Sequence, residues 1–264
     1  MKFKDGVIFV GALVCGLGIM PAANACSTAL WSDSTGAITA GSPVAVPRFS
    51  QLCALNVTGA GSVRDLSPDH TRLRARFYVL NKLVGTGNVV LFRAYADETD
   101  TTKLFEIRRN GANLVFDTSA NTGGSSVSFA APNTWTSIEF DWQSGGTMSI
   151  WVNAPSSGAT STTVAAGNSA TVKSVRLGLI TGLDTYTGGN EVFDAYEAHS
   201  TTPVGLLLLG DANAGGTLTS ADATRVLNEL AIGGTLSPGQ PDCNLGGSIS
   251  SADATCIMAK LALP

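Results

Sequence analysis

The chain has 264 residues, with 16 Lys and Arg against 20 Asp and Glu, a formal charge of −4, and charged side chains making up only 14% of the total. Acidity this mild and this thinly spread argues against nucleic acid or an anionic lipid surface as a partner. Thirty glycines, with many Ser and Thr, are the composition of an extracellular β-protein.

Met1-Lys2-Phe3-Lys4, an apolar run from Val7 to Met20, and Ala23-Asn-Ala25 before Cys26 read as a secretory signal peptide covering residues 1–25. The later chain predicts no membrane-spanning helix, since only Leu206 to Leu209 is continuously apolar. Cys26 raises a lipid-anchor reading, but Ala23 stands where such signals carry a Leu-like residue, and lipidation would leave an odd cysteine count. Removing Cys15 with the signal leaves Cys26, Cys53, Cys243 and Cys256, an even set suited to an oxidising compartment. Three pairings are possible. Locality favours Cys26 with Cys53 and Cys243 with Cys256.

Residues 26–203 show no convincing helical stretch, whereas period-2 segments recur between turns. In Arg72-Leu-Arg-Ala-Arg-Phe-Tyr-Val79 the arginines face one way and Leu73, Ala75, Phe77 and Val79 the other, predicting one wet face and one core face. Further strands are expected at Leu52 to Val57, Val89 to Ala96, Lys103 to Arg108, Asn113 to Phe116, Trp135 to Trp142, Met148 to Val152, Val172 to Ile180 and Val192 to Tyr196. Nine strands suit two packed antiparallel sheets, a mainly β sandwich.

Asn133-Thr-Trp135-Thr-Ser-Ile138-Glu-Phe140-Asp-Trp142, a Ser-Gly-Gly turn, and Thr147-Met-Ser-Ile150-Trp-Val152 resemble paired strands of laminin-G-like, concanavalin-type jelly rolls. Val192-Phe-Asp194-Ala-Tyr-Glu197 is similar to that family's last strand. The superfamily includes lectins, adhesion modules, hydrolases and lyases, so the fold leaves function open. Its laminarinase-like hydrolases carry Glu-x-Asp-x-Glu on one strand face; here the stretch is Glu139-Phe-Asp141-Trp-Gln143. Gln143 cannot exchange a proton, so a retaining mechanism lacks its acid/base. The alternative places Glu139 and Asp141 on the solvent face of a strand. The two histidines, His70 in an expected turn and His199 past the expected last strand, give no convincing base for a lyase. Trp31, Tyr95, Trp151, Tyr186 and Tyr196 could stack on sugars. Asp184, Asn190, Glu191 and Asp194 form a weaker calcium candidate, and Asn56-Val-Thr58 matches a glycosylation triplet.

Past the short join Pro203-Val-Gly205, the same twelve-residue pattern is written twice, from Asp211 to Asp222 and from Asp242 to Asp253. Oxygen-bearing side chains fall at positions 1, 3, 9 and 12, glycine at position 6, and Leu218 or Ile249 at position 8, as in a calcium-binding EF-hand loop. Val226, Leu227 and Leu230 follow the first loop, and Ile257, Met258 and Leu261 the second, predicting one amphipathic helix after each. No comparable helix precedes either loop. Each unit is half an EF-hand.

Two half-hands in about sixty residues, announced by Gly210-Asp211-x-Asn213 and both carrying Ser-Ala-Asp-Ala-Thr, resemble the type I dockerin family over residues 204–264. The resemblance implies two bound Ca²⁺ ions and a cohesin-like protein partner. It places side-chain ligands at Asp211, Asn213, Thr219 and Asp222, and at Asp242, Asn244, Ser250 and Asp253, with the carbonyls of Thr217 and Ser248 completing the shells. It places the docking surface at Ser220, Ala221, Ser251 and Ala252, with Leu227 and Met258 on the helices. Position 5 is Gly215 or Gly246 rather than the family's Asp or Asn, so affinity is expected in the weak extracellular range of roughly 10⁻⁴ to 10⁻³ M. The bland alternative is a pair of turns that open capped helices. The expected whole is a secreted, non-catalytic protein whose sandwich meets an extracellular polysaccharide or protein, with a glycan-degrading enzyme as the runner-up.

Overall fold

The computed structural model describes residues 28, 31–41, 54–82, 84–85, 87–120, 122–130, 134–154, 159–182, 186–188, 190–201, 204–205, 208–213, 217–233, 240–244 and 249–262. Residues 1–25, expected as a signal peptide, and Cys26, Cys53, Asp184 and Ser248 lie outside the described residues.

The fold is mainly antiparallel β with two short C-terminal helices. The strands run β1 (Asp33–Gly41), β2 (Ala54–His70), β3 (Arg72–Asn81), β4 (Val84–Gly85), β5 (Asn88–Tyr95), β6 (Lys103–Asn110), β7 (Asn113–Asp117), β8 (Ser126–Ala130), β9 (Trp135–Gln143), β10 (Thr147–Val152), β11 (Thr162–Ala165), β12 (Val172–Thr181), β13 (Tyr186–Gly188) and β14 (Glu191–His199). Hydrogen bonding follows the order β11-β10-β9-β3-β14-β2-β12-β5-β6-β7-β8, with β1 also on β2 and with β4 and β13 as a separate pair.

That path cannot be flat. Strands β9 and β6 stand six steps apart along it, about 29 Å in an open sheet, yet Phe105 meets Phe140 and Trp142 at ring-centroid distances of 5.4 and 5.7 Å. Phe77 on β3 and Phe92 on β5 stack at 5.8 Å. The sheet therefore doubles over into two facing layers, with the aromatic core between them.

The fold-over sits in β2, whose start pairs with β14 and whose later part pairs with β12, while β1 follows both halves. Gly36 has φ +75, and a Cβ there would lie 2.0 Å from the Ala60 carbonyl oxygen, so the corner admits glycine. At the far side the Ala165 backbone is gripped at both ends: Thr118 Oγ1 donates to its carbonyl at 2.5 Å and Ser125 Oγ accepts its N–H at 3.2 Å.

The alternation predicted for β3 is present: Leu73, Ala75, Phe77 and Val79 are core, opposite Trp142, Phe140 and Ile138 of β9. Five strands escaped prediction, among them the short β4 and β13. β1, β8 and β11 are rich in Ser, Thr, Gly and Ala and are largely exposed. β2 runs on through Ser67-Pro-Asp-His70, expected as a turn, because the register with β12 slips between Leu66 and His70 and a bulge takes the proline.

The helices are α1 (Ser220–Ile232) and α2 (Ser251–Ala262). Their shared core pairs Ala212 with Cys243, Ala223 with Ala254, Val226 with Ile257 and Leu218 with Ile249, each couple separated by the repeat length. The loop starts are also tied to one another, since Gly210 N–H donates to the Gln240 carbonyl at 2.9 Å and Gln240 N–H to Asp211 at 2.8 Å. Among the described residues, no helix is long and apolar enough to cross a membrane.

Candidate functional site

The repeated loops close in the same way twice. Asp222 and Asp253 are fully buried. Asp222 Oδ2 accepts the Thr219 N–H at 2.8 Å and its hydroxyl at 2.9 Å. Asp253 Oδ2 accepts the Ser250 N–H at 2.8 Å and its hydroxyl at 3.0 Å. The N–H contact is the one a capping box makes at the start of a helix, so these carboxylates do cap α1 and α2. The other oxygen does something a cap does not require. Asp222 Oδ1 accepts the N–H of Asn213, nine residues back, at 3.0 Å, and Asp253 Oδ1 accepts that of Asn244 at 3.2 Å. Position 12 thus folds position 3 back over the loop in each copy.

Position 1 is buried in both loops, with Asp211 2% and Asp242 5% exposed. Asn213, Thr217, Thr219 and Asn244 stay exposed, and Ser250 is half-buried. Among the described residues, no Lys or Arg forms an ion pair with Asp222 or Asp253. Among the described residues, backbone N–H groups and a hydroxyl are the donors to each carboxylate, and a nearby cation stabilises a buried carboxylate. The donor set fits a hard cation: oxygens only, from carboxylate, amide, hydroxyl and carbonyl. Among the described residues, no group of three or more His, Cys, Asp and Glu gathers anywhere. Each loop contributes two carboxylates, as Gly215 and Gly246 at position 5 require.

A disulfide joins Cys243 and Cys256, linking position 2 of the second loop to α2. Gly210, just ahead of the first loop, has φ +95, and a Cβ there would stand 2.8 Å from Ile257 Cγ1 and 3.3 Å from Cys243 Sγ. Only glycine fits that corner. Ser220, Ala221, Ser251 and Ala252 are exposed, and Leu227 and Met258, at matching helix positions, are each 50% exposed.

The sandwich carboxylates considered for catalysis are committed to structure. Glu139 is 3% exposed, and its Oε1 accepts the backbone N–H groups of Val204 and Gly205 at 3.2 and 2.9 Å. Asp141 is gripped by Arg72 at 2.8 and 2.6 Å and by Arg74 at 3.0 Å. Burial pushes the Asp141 carboxyl up, but the Arg72 and Arg74 guanidiniums outweigh it and hold it below the ordinary carboxylate value. Arg74 also donates to the Thr201 carbonyl. Arg76, 2% exposed, donates to the Gly205 carbonyl at 2.9 Å and to Glu197 at 2.6 Å. His199, expected past the last strand, is the final residue of β14 and bonds Glu197 at 2.8 Å.

This outer face, expected to be wet, is therefore a dock for the join. Leu209 packs beside Tyr78 and Ala195 on the same face, and Lys260 of α2 holds the Leu209 carbonyl at 3.1 Å. A bulge makes room for it: Ala195 adopts φ +48 and resets the alternation of β14, so that Phe193 and Tyr196 both reach the core. The sequence signal was the arginine row itself, since three arginines alternating on a strand demand anionic or carbonyl partners somewhere.

Three of the aromatic candidates are buried, and two are half-buried with their polar tips bonded. Trp31, Tyr95 and Tyr196 are buried. Half-buried Trp151 donates its indole N–H to the Ala159 carbonyl at 3.1 Å, and Tyr186 donates its hydroxyl to the Gly87 carbonyl at 2.9 Å. Glu191 is buried against Arg109 at 2.8 Å, and Asn56 lies paired inside the sheet.

No family model matches the chain, and no curated protein matches it. Among solved structures it is similar to one of botulinum neurotoxin type C, described through its interaction with two ganglioside molecules, at 14% identity and a TM-score of 0.47, over 64% of this chain and 42% of that one. It is similar to the botulinum neurotoxin serotype D ligand binding domain in complex with N-acetylneuraminic acid at 10% identity and a TM-score of 0.44, over 62% and 42%. It is similar to the cellulose induced protein Cip1 at 15% identity and a TM-score of 0.46, over 66% and 91%. The chain thus spans about two-fifths of the neurotoxin structures. Similarity at this level assigns the chain neither ligand nor activity.

Proposed function

We propose that this is a secreted, non-catalytic protein whose C-terminal half-hands bind two calcium ions and dock a cohesin-type partner, while the β-sandwich meets an extracellular glycan or protein. The observation that carries the calcium reading is the paired closure of Asp222 on Asn213 and of Asp253 on Asn244. Helix capping alone leaves that contact unexplained in one copy, and twice over at the repeat spacing.

Asp211, Asn213, Thr219, Asp222 and the Thr217 carbonyl would hold one ion, and Asp242, Asn244, Ser250, Asp253 and the Ser248 carbonyl the other. Bound calcium supplies charge neutralisation, and so stabilises only the folded loop that presents all its oxygens together. The tail needs this. Among the described residues its buried core has six members, and a unit of about sixty residues buries little apolar surface. The docking reading is supported by the two matching exposed faces, Ser220, Ala221 and Leu227 on one helix and Ser251, Ala252 and Met258 on the other. The enzyme reading has weaker support, because Glu139 holds the join and Asp141 is paired with Arg72 and Arg74.

Surface-plasmon binding of the purified chain to an immobilised cohesin domain, in calcium and then in chelator, tests the docking. Binding that vanishes in chelator and in a Leu227→Asp, Met258→Asp variant is expected. Binding indifferent to both would discard it. A glycan array on the same protein tests the sandwich half.

A further inference from the structure

The two loops offer alike oxygens and close alike, but they are not built alike around them. Cys243, at position 2 of the second loop, is bonded to Cys256 on α2. The matching positions of the first half are Ala212 and Arg225. One copy carries a covalent clip between its loop and its helix; the other has a methyl group and a half-buried guanidinium there.

We infer that the two calcium sites are unequal, with the Asp242–Asp253 loop the tighter and the Cys243–Cys256 disulfide the cause. The inference rests on the calcium reading above. Cys243 lies between Asp242 and Asn244, two of the ligand positions, so tying it to α2 fixes both residues against the helix whose first turn supplies Asp253. Calcium affinity rises with the rigidity of the ligand cage, because less disorder is lost on binding. A cross-link this short removes conformations from the open loop while leaving the closed one in place. Because donor types at positions 1, 3, 9 and 12 match between copies, ligand chemistry does not account for a difference; the clip does. Reduction would then loosen one site selectively, which makes the tail's calcium load sensitive to the thiol poise of its surroundings.

Calcium titration calorimetry on the full chain tests this with two single-site variants, Asp222→Asn and Asp253→Asn, in which the amide oxygen keeps the capping contacts. The site remaining in Asp222→Asn should bind about tenfold more tightly than the one remaining in Asp253→Asn. Adding Cys243→Ala with Cys256→Ala should weaken the former by about the same factor and leave the latter unchanged. Equal affinities in the two single-site proteins, or an equal loss in both on removing the cysteines, would overturn the inference while leaving calcium binding intact. No heat of binding in the oxidised parent chain would instead remove the calcium reading itself.

Discussion

Replacing Glu139 by alanine tests whether the outer face of the first layer holds the join rather than performing chemistry. The carboxylate accepts two consecutive backbone N–H groups, Val204 at 3.2 Å and Gly205 at 2.9 Å, from a site 3% exposed. Each buried donor left without an acceptor costs about 1–3 kcal/mol, so the pair amounts to about 2–4 kcal/mol once some hydration of the released strand is allowed. For a chain of this size that corresponds to a loss of about 5–15 °C in melting temperature. Glu139→Gln keeps an acceptor oxygen and should recover most of it. Limited proteolysis gives the second readout: the alanine variant should be cut within residues 201–209 far faster than the parent. A Glu139→Ala protein that melts and resists protease like the parent would refute the dock, and would return Glu139 to the list of candidate acids.

Asp141→Asn should flatten the acid limb of stability. A carboxyl held below its ordinary value by Arg72 and Arg74 stabilises the fold above about pH 4 and loses that contribution as pH falls from there towards its folded value. Melting temperature followed from neutral pH down to about pH 3 should therefore fall more steeply in the parent than in the variant, and parallel curves would contradict the assignment. Gly210→Ala forces a side chain into φ +95 and against Ile257, with an expected loss of about 1–3 kcal/mol confined to the tail, readable as early loss of helical circular dichroism. Asp222→Asn with Asp253→Asn should make melting indifferent to calcium or chelator, and a calcium-dependent shift that survives would place the ion elsewhere.

Period-2 alternation made the sandwich legible wherever one face is core and the other charged, as in Arg72 to Val79. It failed for β1, β8 and β11, where Ser, Thr, Gly and Ala line strands whose existence rests on pairing with neighbours rather than on burial. Pro68 inside β2 and the positive φ of Ala195 were unreadable for a related reason. Both sit at bulges, and a bulge is set by the partner strand's register. The repeat in the tail was legible because glycine and oxygen spacing are local properties of the chain. The partners of Arg74, Arg76 and Glu139 were not, since Thr201, Val204 and Gly205 stand more than sixty residues away in sequence and meet them only in the folded chain.

Equilibrium dialysis of the purified chain against radioactive calcium, at concentrations rising through the millimolar range, tests the central claim most directly. The account predicts saturation at two ions per chain, falling to one in either Asp222→Asn or Asp253→Asn. Retention no greater than in the dialysis buffer would contradict it.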